Sequence, residues 1–317
     1  LDLGFTVWNT NEMLDLIEWL GSYNASVPAD QAVGFWGFDM QDPQAAIHQV
    51  VTYVTEVLPS EADALAGEYR CFELLGGTGY GGVPEPTKEQ CRTGVDAAAA
   101  WIDANRDLLV DASSVEAYEW AARNAMLVVQ AEELGAASDA DSANQLRDRF
   151  MAENATWLLD QAGADAKFIL WSHNGHVARS VREGGHQPMG VYLGDILSDG
   201  LVVIGFEFSR GSLTSMTATS EGLGTEVVTV PPPPPDSYAG AFASTGLGRF
   251  ILDLRQLPND LAGRWLLDEH PVRWIGAVYD PLNDADTIEL VRMPQMFDLV
   301  VYLENTTPSN VRATAEP

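Results

Sequence analysis

The sequence predicts an α/β fold, with a mostly parallel central sheet flanked by helices and a helical subdomain inserted between strands. Short apolar runs that end at a polar residue alternate with capped amphipathic segments, as in α/β proteins. Between about residues 95 and 163 the patterns are helical, without a strand candidate. We therefore expect one α/β domain over residues 1–317, with a helical insertion at about 95–163.

The first elements along the chain are a helix and a strand. Residues 9–24 carry an amphipathic pattern that Asn9 can cap, with Glu12 at the third helical position. Residues 32–39 form an apolar and aromatic run that ends in Asp39, which is typical of a buried strand.

Three further helices are indicated by their start and stop signals. Asp42 can cap a helix that Pro59 ends. Within the predicted insertion, Ser113 and Glu116 have the spacing of a capping box, and a long helix runs through residues 144–163.

Strand patterns return after the insertion, at residues 167–171, 201–208, 249–255 and 297–304. A run of five prolines at 231–235 is predicted to be a stiff surface connector.

Four polar residues are candidates for a pocket, because ligands of parallel sheets gather beyond the carboxyl ends of the strands. Asp39 and His173 lie at such ends, and His176 follows one helical turn after His173. Glu207 lies near the end of another strand, although strand alternation equally allows it to face a helix layer.

The pair His173 and His176 has three interpretations. An imidazole, with an unperturbed pKa near ~6.5, can exchange a proton with water during hydrolysis. Two histidines on one helical turn can also share a metal ion if a third ligand is present. Alternatively, His173 bonds a backbone group and His176 lies in solvent. The other histidines, His48, His186 and His270, are predicted at the surface.

The charge of the chain excludes two classes of partner. Acidic residues outnumber basic ones by 46 to 17, so the net charge is 17 − 46 = −29. Such a field repels nucleic acid and anionic membranes. Only two basic residues, Lys88 and Lys167, are lysines, which fits either a high-salt environment or an arginine-biased genome.

The chain has two cysteines. Cys71 and Cys91 flank a glycine-rich loop and either form one bridge or remain free thiols.

No apolar run reaches the roughly 18 residues of a membrane span, so membrane insertion is not predicted, and secreted and cytoplasmic locations both remain open.

Seven stretches, in this order, resemble the erythromycin esterase family, which also includes succinoglycan biosynthesis proteins. They are VWNTNEMLDLIEWLGSYN, VGFWGFDMQDP, RDRFMAENATWLL, KFILWSHNGHV, MGVYLGDIL with VVIGFEFSRGS, PDSYAGAFASTGLGRFILDLR, and IGAVYD with FDLVVYLENTTPS.

The resemblance implies a hydrolase that opens a lactone or another ester by activating water, with no cofactor and no obligatory metal. It implies that His173 is an active-site histidine, with His176 close by, and that Asp39 lies at the pocket wall. The expected ligand is a small-molecule ester or lactone. A divalent-metal hydrolase and a non-catalytic binding or assembly module remain as alternatives.

One feature of the family has no counterpart in these residues. The family begins with a strand ending in Gly-Glu-x-x-His-Gly, whose Glu and His are central to catalysis, whereas this sequence opens at the helix expected after it. We expect the natural protein to carry the preceding segment.

Overall fold

The chain is described by a computed structural model over residues 8–75, 83–181, 184–219 and 222–312. It divides into two compact units. Unit 1 comprises residues 1–37, 169–182 and 188–317, and unit 2 comprises residues 38–168 and 183–187. The predicted insertion, 95–163, falls inside unit 2, and its status as an insertion stays a prediction.

Helices make up most of the regular structure in the described residues. They are α1 (Asn11–Ser26), α2 (Gln44–Val57), α3 (Ala62–Glu68), α4 (Arg70–Leu75), α5 (Glu85–Ala104), α6 (Arg106–Ala112), α7 (Val115–Gly135), α8 (Ala140–Ala162), α9 (Asn174–Val177), α10 (Met189–Leu197), α11 (Tyr238–Ser244), α12 (Leu261–Leu267) and α13 (Met293–Met296). Short 3₁₀ turns lie at Ala29–Gln31, Ser198–Gly200 and Pro281–Thr287. Within the described ranges, no helix combines the length and apolar character needed to cross a membrane.

The strands of the described residues all lie in unit 1. They are β1 (Ile204–Thr219), β2 (Gly222–Val230), β3 (Arg249–Asp253), β4 (His270–Arg273), β5 (Ile288–Val291) and β6 (Leu299–Thr306). Four of them form a sheet in the order β2-β1-β6-β3, and β4 pairs with β5 separately. Only β1 and β6 are parallel in this larger sheet. The α/β class is therefore confirmed, but the sheet is mixed, because β2 pairs antiparallel with the strand that precedes it.

The predicted helices are confirmed, with small shifts at their starts. The first helix is capped by Thr10, whose hydroxyl accepts from the Met13 N–H at 3.3 Å, and not by Asn9. The cap of α7 is Ser114 and not its neighbour Ser113, because Ser114 accepts from the Ala117 N–H at 3.1 Å. Asp42 bonds the Gln44 N–H at 3.0 Å at the start of α2, as expected.

Two predicted strands, 32–39 and 167–171, are wrong. Neither run carries strand hydrogen bonds in the described residues, and Ile169 is 94% exposed. Both backbone groups of Val33 bond the side chain of Asn24 instead, at 2.8 and 2.9 Å. An apolar run becomes a strand only if a neighbour pairs with it, and the described residues supply no such neighbour. Asp39 and His173 therefore do not lie at strand ends.

Each unit has its own apolar core. In unit 1, aromatic residues such as Tyr238 and Tyr302 pack around the inner face of the sheet. In unit 2, the core joins α2, α5 and α7 through residues such as Val50 and Val95, both fully buried. Cys71 and Cys91 form a disulfide between α4 and α5 in this unit, with a Cα–Cα distance of 5.3 Å.

The two faces of the four-stranded sheet differ in what covers them. On the inner face, the Ser209 hydroxyl donates to the Ala239 carbonyl of α11 at 2.8 Å. On the outer face, Phe206, Val301 and Ile251 form one row across three strands. Phe206 is 60% exposed and Ile251 is 68% exposed, so this face carries an apolar row open to solvent.

Candidate functional site

His173 is fixed by two backbone groups. Its Nδ1 accepts from the Gly175 N–H at 3.0 Å, so the imidazole is the N-cap of α9. Its Nε2 lies 2.9 Å from the Ile275 carbonyl oxygen, which can only accept, so Nε2 carries the proton. The ring is thus held as the neutral Nε2–H tautomer. The lone pair that a general base would use is occupied by the helix cap.

Asn174, the next residue, links this turn to the sheet. Its Nδ2 donates to the Phe206 carbonyl at 2.6 Å, and its Oδ1 accepts from the Phe206 N–H at 3.0 Å. A planar amide offers one donor and one acceptor side by side, as the edge of a neighbouring strand would. Asn174 therefore fixes the histidine turn against the residue that precedes Glu207. This role of Asn174 was not predicted from the sequence.

His176 lies on the same short helix and is partly buried. The centroids of the His173 and His176 rings are 6.4 Å apart, with their planes at 77°. Among the described residues, no three His, Cys, Asp or Glu side chains are grouped as metal ligands. The prediction that the two histidines lie close together is met by this geometry.

Glu207 points to the inner face of the sheet. It pairs with Tyr302 of β6 and is 6% exposed. Its Oε1 accepts from the Phe208 N–H at 3.0 Å. Burial raises the pKa of Glu207 from its ordinary value of 4.5 to about 7, although the Phe208 bond and the charge of Arg273 act in the opposite direction. Of the two orientations left open by the sequence, the helix-facing one is observed.

Arg273 belongs to a second charged group in unit 1. Its guanidinium forms an ion pair with Asp284, with Nε–Oδ1 at 2.7 Å and Nη2–Oδ2 at 2.9 Å. The Tyr279 hydroxyl donates to the same carboxylate at 2.5 Å. A small cavity of about 10 Å³, lined in part by Arg273 and Ala239, is the size of one water molecule. The guanidinium whose charge lowers the pKa of Glu207 is thus also paired with the Asp284 carboxylate.

Asp39 belongs to unit 2. Its carboxylate pairs with Arg147 of α8, with the closest oxygen 2.7 Å from Nη2. The preceding carbonyl, of Phe38, accepts from the Asn154 side chain at 2.9 Å. Asp39 is thus anchored to α8 by its side chain and by its neighbour's backbone. On the same helix, Arg149 pairs with Glu153 at 3.8 Å.

His186 and His270 were predicted at the surface, and this prediction is wrong, because both are partly buried and their rings are hydrogen-bonded. In unit 2, His186 Nε2 lies 2.8 Å from the fully buried carboxylate of Asp148. In unit 1, His270 stacks on Trp265 with ring centroids 3.8 Å apart, and its Nε2 bonds the Trp265 carbonyl at 2.8 Å. His48 is exposed, as expected.

Comparison with known structures supports the fold. A Bacillus cereus protein superposes with a TM-score of 0.81 at 23% identity, over 98% of this chain and 75% of that one. A succinoglycan biosynthesis protein gives 0.78 at 22%, over 96% and 73%. A mutant of the erythromycin esterase EreC in its open conformation gives 0.69 at 14%, over 96% and 75%. At these identities the likeness establishes the fold alone.

Sequence comparison gives a relative and a family. YbfO of Bacillus subtilis (strain 168), provisionally named as a hydrolase, is 27% identical over 173 residues, which are 52% of this chain. The aligned part spans 35% of the length of that relative. The family model described as erythromycin esterase matches residues 2–306. The chain therefore belongs to the erythromycin esterase family.

Proposed function

We propose that the protein hydrolyses a carboxylic ester or lactone of a small molecule, with water as the nucleophile. The observation that carries this proposal is the fixed Nε2–H tautomer of His173, in a chain that belongs to the erythromycin esterase family. A neutral imidazole that is held as a donor suits the stabilisation of a developing oxyanion. The nearby His176 supplies a second imidazole for proton transfer.

The roles of the two histidines follow from their bonds. Because Gly175 holds Nδ1, His173 keeps its proton on Nε2 and acts as a hydrogen-bond donor to the substrate carbonyl. The bond from Nε2 to the Ile275 carbonyl has to be exchanged for that substrate oxygen. Catalytic hydrogen bonds often form only once substrate is bound, so the present partner is compatible with this role.

The proposed reaction balances with water alone. The water oxygen attacks the acyl carbon while His176 accepts one water proton. The oxyanion of the tetrahedral intermediate accepts a hydrogen bond from the Nε2–H of His173, which keeps its proton. Collapse of the intermediate breaks the acyl C–O bond, and His176 returns the proton to the leaving alcohol oxygen. The products are an alcohol and a carboxylic acid.

Glu207 is proposed as a supporting residue of the histidine site. Because the pKa of Glu207 is about 7, its charge changes in the neutral range and alters the field around the histidine turn. The place of Asp39 at a pocket wall stays a prediction from the family resemblance, and its carboxylate is bound by Arg147 of α8.

Turnover of an aryl ester, a small lactone and a macrolactone tests the proposal. His173→Asn is the informative variant, because asparagine is a good N-cap and preserves the bond to Gly175 while removing the Nε2 donor. Loss of an oxyanion donor lowers kcat by about 100-fold or more. His48→Ala, on the exposed face of α2, is the matched control and retains full turnover. Wild-type turnover in a folded His173→Asn variant refutes the role of His173.

A second candidate function is a non-catalytic binding module on the same fold. It is favoured by the exposed apolar row of Phe206 and Ile251. Failure of the wild-type protein to hydrolyse any ester of the panel refutes the hydrolase and leaves this candidate.

A further inference from the structure

Unit 2 contains an open groove between α7 and α8. Its volume is about 310 Å³, within the range of small-molecule sites. The residues that line it combine an arginine, aromatic and apolar side chains, and a polar end; they are Tyr118, Glu119, Ala122, Arg123, Met126, Trp157 and Gln161.

Arg123 is a half-buried cation with unused donors. In the described residues, its hydrogen bonding is limited to one bond, from Nη2 to the Asn154 side-chain oxygen, although a guanidinium carries five N–H donors. Burial lowers the pKa of Arg123, and the charge of Glu153 offsets this only in part. A desolvated cation without a paired anion favours binding of an anion from solution.

The apolar part of the groove is built around the Trp157 ring. The Trp157 ring is held edge-on by Trp120, with centroids 4.8 Å apart and planes at 84°. The guanidinium carbon of Arg123 lies 5.5 Å from the centroid of the same Trp157 ring. Met126 is 43% exposed and lines the groove with a flexible apolar side chain. A flat apolar group thus finds an aromatic surface directly beside the cation.

The polar end of the groove sets the direction in which a ligand lies. The Gln161 side chain donates to the Glu119 carboxylate at 3.2 Å. This carboxylate repels an anion at its own end, so a negative group is directed to Arg123.

We propose that the groove binds a small carboxylate attached to a flat apolar body, with the carboxylate on Arg123 and the body on Trp157. The arginine fork matches the two oxygens of a carboxylate, and the unused N–H groups supply the donors. This binding requires no turnover, and it stands or falls independently of the proposed ester hydrolysis.

The test is a ligand-observed NMR titration of the full chain with 3-phenylpropanoate and with its neutral analogue 3-phenylpropanol. We expect the acid to bind at least about tenfold more tightly than the alcohol, as charge-assisted bonds to a guanidinium imply. Equal affinity for the two compounds, or no binding of the acid, overturns the proposal.

Substitutions in the groove give a second test, because opposite charges are expected to change the affinity for the acid in opposite directions. Arg123→Gln is expected to remove the preference for the acid, whereas Arg255→Gln in unit 1 makes the same charge change and leaves binding unaltered. Met126 is exposed enough to accept either charge without unfolding, so Met126→Lys is expected to tighten binding of the acid and Met126→Glu to weaken it. Equal affinities in the two Met126 variants, or a preference for the acid that survives in Arg123→Gln, refute the site.

Discussion

Replacement of Glu207 by glutamine is expected to change the pH dependence of stability. The wild-type carboxyl has a pKa of about 7 in the folded protein, against an ordinary value of 4.5, because burial disfavours its charged form. As the pH rises from 4.5 towards 7, the unfolded chain releases this proton while the folded protein retains it. The contribution of Glu207 to the free energy of unfolding is therefore full below pH 4.5 and is lost as the pH passes 7.

The size of the effect follows from the shift. A shift of one pKa unit corresponds to 1.36 kcal/mol, so the wild type is expected to lose about 2.5 kcal/mol relative to Glu207→Gln between pH 5 and pH 8. Glutamine keeps a side-chain oxygen for the Phe208 N–H, which at present donates to Oε1 at 3.0 Å. The substitution therefore removes the titration while preserving this local bond.

The assay is denaturant unfolding of both proteins at the two pH values. All other titrating groups cancel in the difference between variant and wild type, so that difference isolates Glu207. Glu226→Gln, at an exposed position of β2, is the control and is expected to show no such change. A stability difference between Glu207→Gln and wild type that is the same at pH 5 and pH 8 would show that Glu207 is not a buried, neutral carboxyl.

Three further predictions concern the disulfide, the second histidine and the surface charge. Replacing Cys71 and Cys91 by serine is expected to cost about 3 kcal/mol of unfolding free energy, because the bridge closes a sequence separation of 20; an unchanged denaturation midpoint contradicts this. His186→Ala removes a hydrogen-bond partner of the buried Asp148 carboxylate and is expected to cost about 1–3 kcal/mol, with His48→Ala neutral in the same thermal scan. Because salt screens the charge of −29, the melting temperature is expected to rise from 0.1 to about 1 M KCl, and a fall would argue against a high-salt origin.

Helices were predictable because their signals are local. A cap, a first turn and a stop lie within a few residues of one another, as Asp42 and Pro59 show at the two ends of α2. The errors were shifts between neighbouring residues that can all cap, such as Ser113 and Ser114. The sequence around Ser113 and Ser114 does not by itself determine which of the two serines is the N-cap.

Strands were harder because a strand requires a partner elsewhere in the chain. Residues 32–39 and 201–208 have similar apolar patterns, but only the second run pairs with β6 and becomes part of a sheet. The hairpin strand β2 was missed, although its residues 227–230 alternate in exposure once the strand is formed. Pairing information is long-range, and no count of apolar residues within a run contains it.

The position of His173 could be predicted from the sequence, but its distant hydrogen-bond partner could not. The sequence singled out His173 from its place after an apolar run, yet the property that decides its chemistry is its contact with the Ile275 carbonyl, 102 residues away. Its other contact, with the Gly175 N–H, is local and fixes which nitrogen carries the proton. A histidine held in this way is a hydrogen-bond donor, and the role proposed for it depends on this contact with a distant backbone group. The Asn174 amide completes this arrangement, because its two bonds to the Phe206 backbone link the histidine turn to β1.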